Sequence, residues 1–168
     1  GGQSSYIFRK GDAYILNFGD SGWSDIAELK KELQFASEEK NQEISLSHYV
    51  KAASLYQGDL FEEDPYSHWC IEARDETKEK YLDALTSIIT YWYEKGSYQK
   101  AVEYARMYLN AEKYDEDIYQ LLMRLYSQLG NRGMITKTYE QCKVDLEQGL
   151  DCLPDDETES LYQKLMAL

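Results

Sequence analysis

The stretch LTSIITYWYEKGSYQKAVEYA, Leu85 to Ala105, is echoed by YQLLMRLYSQLGNRGMITKTY, Tyr119 to Tyr139. Laid over one another, they place Leu85 on Tyr119, Ile88 on Leu122, Ile89 on Met123 and Trp92 on Tyr126. Further along, Ala101 falls on Ile135 and Ala105 on Tyr139. Gly96 and Gly130 coincide, 34 residues apart. Apolar side chains recur at steps of three and four on both sides of each glycine, which is the pattern of helix, stop and helix. Glycine stops a helix because it accepts the left-handed backbone that other residues resist. One such hairpin cannot bury its own apolar face, so successive hairpins must stack and share a core.

Helical periodicity extends outward from this repeat. Upstream, Asp25 and Glu28 form a helix start, and Ile26, Leu29, Leu33 and Ala36 make one apolar stripe. A second helix runs from about Ser45 to Tyr56, with Leu46, Tyr49, Val50 and Ala53 inward and Gly58 as its stop. Asp64-Pro65 then opens a long helix to Gly96, either one piece or two nearly collinear ones meeting near Asp75–Lys80. Its stripe is Trp69, Ala73, Tyr81, Ala84, Leu85, Ile88 and Trp92. Shorter helices follow over about Tyr98–Asn110, Asp117–Leu129 and Met134–Glu147, capped by Ser97 and Asp115 and stopped by Gly130 and Gly149. A last helix begins after Pro154 near Asp156.

The first segment differs. Tyr6 to Asn17 reads as two short strands about the turn Arg9-Lys10-Gly11-Asp12, followed by a Gly/Asp/Ser-rich loop over 17–22. The expected fold is therefore all-α, tetratricopeptide-like stacked hairpins of about seven helices, with a short N-terminal β-hairpin. Residues 1–22 form the hairpin and linker, and 23–168 the helical domain. Two departures qualify the repeat: Ile135 stands where a small residue belongs at the hairpin crossing, and Lys113 where a proline closes a repeat. An ordinary helical bundle with two similar turns is the competing reading.

Composition narrows the function. The chain has 168 residues, with 31 acidic against 18 basic side chains and a net charge of −13. Such a surface repels phosphates, so this stretch is not a general nucleic-acid binder. It carries no apolar run near ~18 residues and no basic-then-apolar leader. The Gly1-Gly2 start reads as a trimmed terminus, leaving room for a leader or a whole domain ahead of it. Cys70, Cys142 and Cys152 are odd in number and widely spaced, which fits a reducing cytoplasm better than a disulfide framework.

Catalytic and metal chemistry find no footing. Nucleophile-elbow, phosphate-loop and zinc-protease motifs are absent. His48 and His68 are the only histidines, and His68-Trp69-Cys70 is not a metal spacing. Cys70 lacks a base on its own helix face, since residues two apart point elsewhere. Asp115-Glu116-Asp117 resembles part of a calcium loop without the glycine at its sixth position. The acidic runs Glu62-Glu63-Asp64 and Asp155-Asp156-Glu157 read as solvated or helix-start charge. No catalytic residue, cofactor or metal ligand is assigned, and an enzyme is the least favoured reading.

Against this background the chain resembles a known family, the bacterial transcriptional activator domain of antibiotic-regulatory-protein-type regulators. Tyr56-Gln-Gly58-Asp-Leu60 looks like the family's signature after its second helix. Trp69, Arg74, Tyr81, Ala84 and Leu85 match its W…R…Y..AL pattern. Gly96 and Ala101, then Glu116, Leu122 and Met123, then Gly130, Tyr139, Leu146 and Pro154 continue it. Thr158, Leu161, Tyr162 and Leu165 look like its closing T..LY..L helix. Gly11-Asp-Ala-Tyr14-Ile-Leu16 is similar to the strand pair that ends the family's winged-helix DNA-binding domain. The resemblance implies that DNA contact resides in a domain upstream, and that this part acts on a protein partner or a second copy of itself, a homodimer for example.

By the same resemblance to tetratricopeptide repeats, the concave groove would be lined by Asp83, Thr86, Thr90 and Tyr93, then by Asp117, Gln120, Arg124 and Ser127. This mixed polar strip suits hydrogen bonding to a peptide; the same residues also read as merely exposed helix. The 16 tyrosines divide. Tyr81, Tyr119, Tyr126 and Tyr139 fall on core stripes, while Tyr91, Tyr93, Tyr98, Tyr104, Tyr108 and Tyr114 cannot all face one core. Aromatic rings concentrate at interface centres, so 91–114 is the expected contact surface. A stand-alone helical adaptor for peptide tails is the alternative. A winged-helix or receiver-plus-winged-helix segment upstream would separate the two.

Overall fold

The computed structural model describes residues 7–10, 13–16, 24–59 and 68–167. Among the described residues seven helices carry the fold: α1 (Asp25–Glu38), α2 (Gln42–Leu55), α3 (His68–Glu94), α4 (Tyr98–Ala111), α5 (Glu116–Gln128), α6 (Arg132–Leu150) and α7 (Asp156–Met166). Two strand segments, β1 (Ile7–Lys10) and β2 (Ala13–Leu16), pair antiparallel with Ile7 opposite Leu16. The expected turn glycine Gly11, the loop over 17–22 and the Asp64-Pro65 start lie outside the described residues.

Each helix packs on the next along the chain, and α1 also meets α3 while α5 meets α7. Short connections force this, because residues 95–97 or 129–131 allow only a tight reversal. The two reversals are built alike. Gly96 sits at φ +68 and Gly130 at φ +65. The amide of Gly96 donates to the Tyr93 carbonyl at 3.0 Å, and that of Ser97 to the Trp92 carbonyl at 2.9 Å. Gly130 donates to Ser127 at 3.0 Å and Asn131 to Tyr126 at 2.8 Å. The bond pairs correspond position for position, and each satisfies two carbonyls the helix end would leave bare.

The side chains paired by the offset form the core. Leu85, Ile88, Ile89, Ala101 and Ala105 are buried, as are Tyr119, Leu122, Met123, Tyr126, Ile135 and Tyr139; Trp92 is partly buried. Helix α3 serves two clusters at once. Tyr81, Ala84, Leu85 and Ile88 pack with Ala53, while Ile89 joins the larger cluster built from α4 to α7. α3 is one continuous helix through the charged window at 75–80. Ala73, expected inward, is exposed; Cys70 and Thr77 hold the buried positions of that segment.

Helix ends differ from expectation in three places. α2 starts at Gln42, where Asn41 accepts the Glu43 and Ile44 amides, and ends at Leu55 with Tyr56 already extended, so Gly58 lies beyond the stop. Ser97 occupies the N-cap position of α4 but makes no side-chain cap bond, whereas its counterpart Asn131 accepts the Met134 amide at 3.2 Å. Gly149 does not stop α6. That helix runs to Leu150 and turns at Asp151, a non-glycine at φ 53. Gly149 serves a different purpose: a Cβ there would lie 2.2 Å from the Tyr114 ring, so hydrogen is what lets that ring lie against α6.

Candidate functional site

Asp83, Thr86, Thr90 and Tyr93 recur at steps of three and four on α3, so they form one stripe. All four are exposed. Thr86 Oγ1 donates to the Leu82 carbonyl at 3.0 Å and Thr90 Oγ1 to the Thr86 carbonyl at 2.9 Å. Each hydroxyl proton is thus spent on the helix, and the oxygens are left as outward acceptors. Thr86 and Thr90 line an open groove of about 330 Å³ between α2 and α3. Tyr91 joins that wall, and α2 supplies Gln42, Ser45, Leu46 and Tyr49 opposite. Asp83 and Tyr93 lie outside the groove lining.

The second half of the expected strip is separate. Asp117 and Arg124 are exposed and Ser127 half-buried, but Gln120 is only 5% exposed. Its Nε2 donates to Thr158 Oγ1 at 3.0 Å, because α7 lies along α5 and covers that residue. The expected continuous groove is therefore interrupted: open beside α2, and broken at Gln120 where α7 lies over it. The α2 wall went unnoticed in the sequence because Leu46 and Tyr49 read there as core.

The tyrosines sort by neighbours. Tyr81, Tyr119, Tyr126 and Tyr139 are buried as expected. Of the surface set, Tyr98, Tyr104 and Tyr108 pack partly buried against the core, Tyr91 stands edge-on to Trp92 at 5.0 Å, and only Tyr93 and Tyr114 are exposed, each 41%. The band 91–114 thus presents two exposed rings rather than a continuous aromatic face.

Several hydroxyls tie one helix junction to the next. Tyr108 donates to Asp115 at 2.8 Å, Tyr119 to Asp145 at 2.5 Å, and Tyr139 to Glu159. Burial, then the neighbouring carboxylate, holds all three phenols well above their ordinary value. Asp115 also caps α5 by accepting the Ile118 amide at 3.3 Å, which accounts for the acidic cluster there. Burial pushes the Cys142 thiol up to about 12, so it stays protonated. Among the described residues no group of His, Cys, Asp and Glu is placed to hold a metal ion, and no helix is long and apolar enough to cross a membrane.

A fourth tie was invisible in the sequence. Glu32 of α1 is 3% exposed, with one carboxylate oxygen 2.6 Å from His48 Nδ1 and the other accepting from Lys51 Nζ at 2.6 Å. The His48 hydrogen bond and then that of Lys51 hold its carboxyl below the usual range, outweighing burial. It reads in the sequence as one acid among many; its partners lie sixteen and nineteen residues on.

The helices thus form successive antiparallel hairpins with an open groove between α2 and α3. The family is established by comparison: the model of the bacterial transcriptional activator domain matches residues 24–166, and the chain belongs to that family. A comparison with curated proteins finds no match. The domain is a regulatory one, associated with transcriptional activators.

Proposed function

We propose that the chain is the effector domain of an antibiotic-regulatory-protein-type transcriptional regulator. It acts through contact with a protein partner or a second copy, and couples a signal to a DNA-binding domain upstream. Family membership over residues 24–166 carries the reading. Two features support it. The helices follow a tetratricopeptide-like plan, with corresponding reversals at Gly96 and Gly130. The α2–α3 groove offers outward hydroxyl oxygens at Thr86 and Thr90 beside Tyr91, a surface suited to a peptide backbone. The charge of −13 supports leaving DNA contact to another domain.

The test uses the full-length regulator. Thr90→Arg should lower transcription from its promoter severalfold while promoter occupancy is unchanged. A full-length protein that bound no promoter DNA, while residues 1–168 alone bound it, would overturn the reading.

A further inference from the structure

Helices α4 and α6 do not pack on each other; each packs on α5. The space between them is a trough whose floor is α5, with a volume of about 470 Å³. That volume falls within the ordinary range for ligand sites. The floor and lower walls are apolar, from Leu109, Leu122, Tyr126 and Met134. Arg106, Lys113 and Lys137 stand around it, against the single carboxylate of Asp145.

Three features set this trough apart in a chain of net charge −13. Its three cations make no ion pair among the described residues, and they gather around one cavity whose lining holds a single carboxylate. Asp145 is already engaged, accepting from Tyr119 and from Gln141 Nε2 at 3.0 Å. Tyr126, which lines the trough at 4% exposure beneath Arg106, has a hydroxyl with no partner among the described residues. Unpaired cations above an apolar floor are complementary to carboxylates carried on an apolar body.

We propose that the α4–α5–α6 trough docks an acidic amphipathic peptide segment of a partner protein. Its shape favours a peptide over a small carboxylate. From Met134 to Asp145 the α6 wall extends about 16 Å at 1.5 Å per residue. Arg106 stands on α4 and Lys113 just beyond its end at Ala111, on the opposite side of the trough. One small acid engages one or two of these cations; a chain with carboxylates at helical spacing engages all three while its leucines meet Leu109 and Met134. This surface is distinct from the α2–α3 groove, and the inference stands whether or not that groove is used.

The probe is a fluorescein-labelled 12-residue peptide with Leu at helical i, i+3, i+4, i+7 spacing and Glu elsewhere, titrated with the 168-residue chain and read by anisotropy. The expected result is saturable binding that weakens with salt, falls at least tenfold in Arg106→Ser/Lys137→Ser, and is unchanged in Lys95→Ser/Lys100→Ser. Circular dichroism melts confirm that the variants fold; because both trough cations are exposed, their removal leaves the core intact. Equal binding by the parent and the trough double variant overturns the proposal. So does binding of 3-phenylpropionate without the peptide. Self-association abolished by the double variant, with no peptide binding, would assign the trough to a second copy and equally overturns it.

Discussion

Replacing Gly96 and Gly130 by alanine isolates a single energetic term. A Cβ at either position meets nothing within 4 Å, so no clash contributes. What remains is backbone conformation, at φ +68 and +65. An L residue in the left-handed region costs about 1–2 kcal/mol. Alanine also restricts the unfolded chain, which offsets about 0.4–1 kcal/mol. Taken at the middle of both ranges, each substitution should therefore destabilise by about 0.8 kcal/mol, at about 2–4 °C in Tm per kcal/mol for a chain of this size. Asparagine, which visits this region more readily, should cost less at both sites. Gly133 supplies the opposite sign. It lies inside α6 without a positive φ, and its Cβ would meet only Asn131 Oδ1 at 3.8 Å, so Gly133→Ala should stabilise by about 0.5–1 kcal/mol. Urea denaturation followed by far-ultraviolet circular dichroism measures all five variants. Neutral alanines at 96 and 130, or asparagine as costly as alanine, would refute the reasoning.

Thr158→Val removes the buried acceptor of Gln120 and should cost about 1–3 kcal/mol, with hydrogen exchange accelerated first in α7. Met123→Ala empties the fully buried centre of the larger cluster and should cost about 2–5 kcal/mol in the same urea assay. Stability should also fall at alkaline pH. Tyr108, Tyr119, Tyr139 and Cys142 all have raised folded values, so their contribution is complete below the ordinary values of 9 for thiol and 10 for phenol and is lost as pH rises beyond them. Melting temperature against pH, paired with tyrosinate absorbance, would show unfolding and phenol ionisation together. On the acid side Glu32 has a lowered folded value, so its contribution is present above about 4.5 and disappears as pH falls below that, a trend Glu32→Gln should flatten.

The repeat was legible because its signals are local. Gly96 and Gly130 need only their own positive φ, and Leu85, Ile88, Ile89 and their counterparts need only helical spacing. Gly149 was misread because its reason is long-range: the ring of Tyr114, thirty-five residues earlier, lies where its side chain would be. Gln120 occupies an outward position on the α5 wheel and becomes interior only when α7 arrives. Thr86 and Thr90 were placed on an open face, yet its opposite wall comes from α2, which no pattern within α3 can specify. Glu32 and the trough cations share that difficulty, since charge type is written in the sequence while pairing is written in the packing.

The α7 lid on α5 has a consequence for assembly. A stack of like hairpins is in principle an open polymer, because its last member exposes the face its predecessor has buried. Here that face ends on a polar lock, Gln120 to Thr158, with Leu161 filling the space beside it. A hairpin from another molecule arriving at α5 would have to displace both.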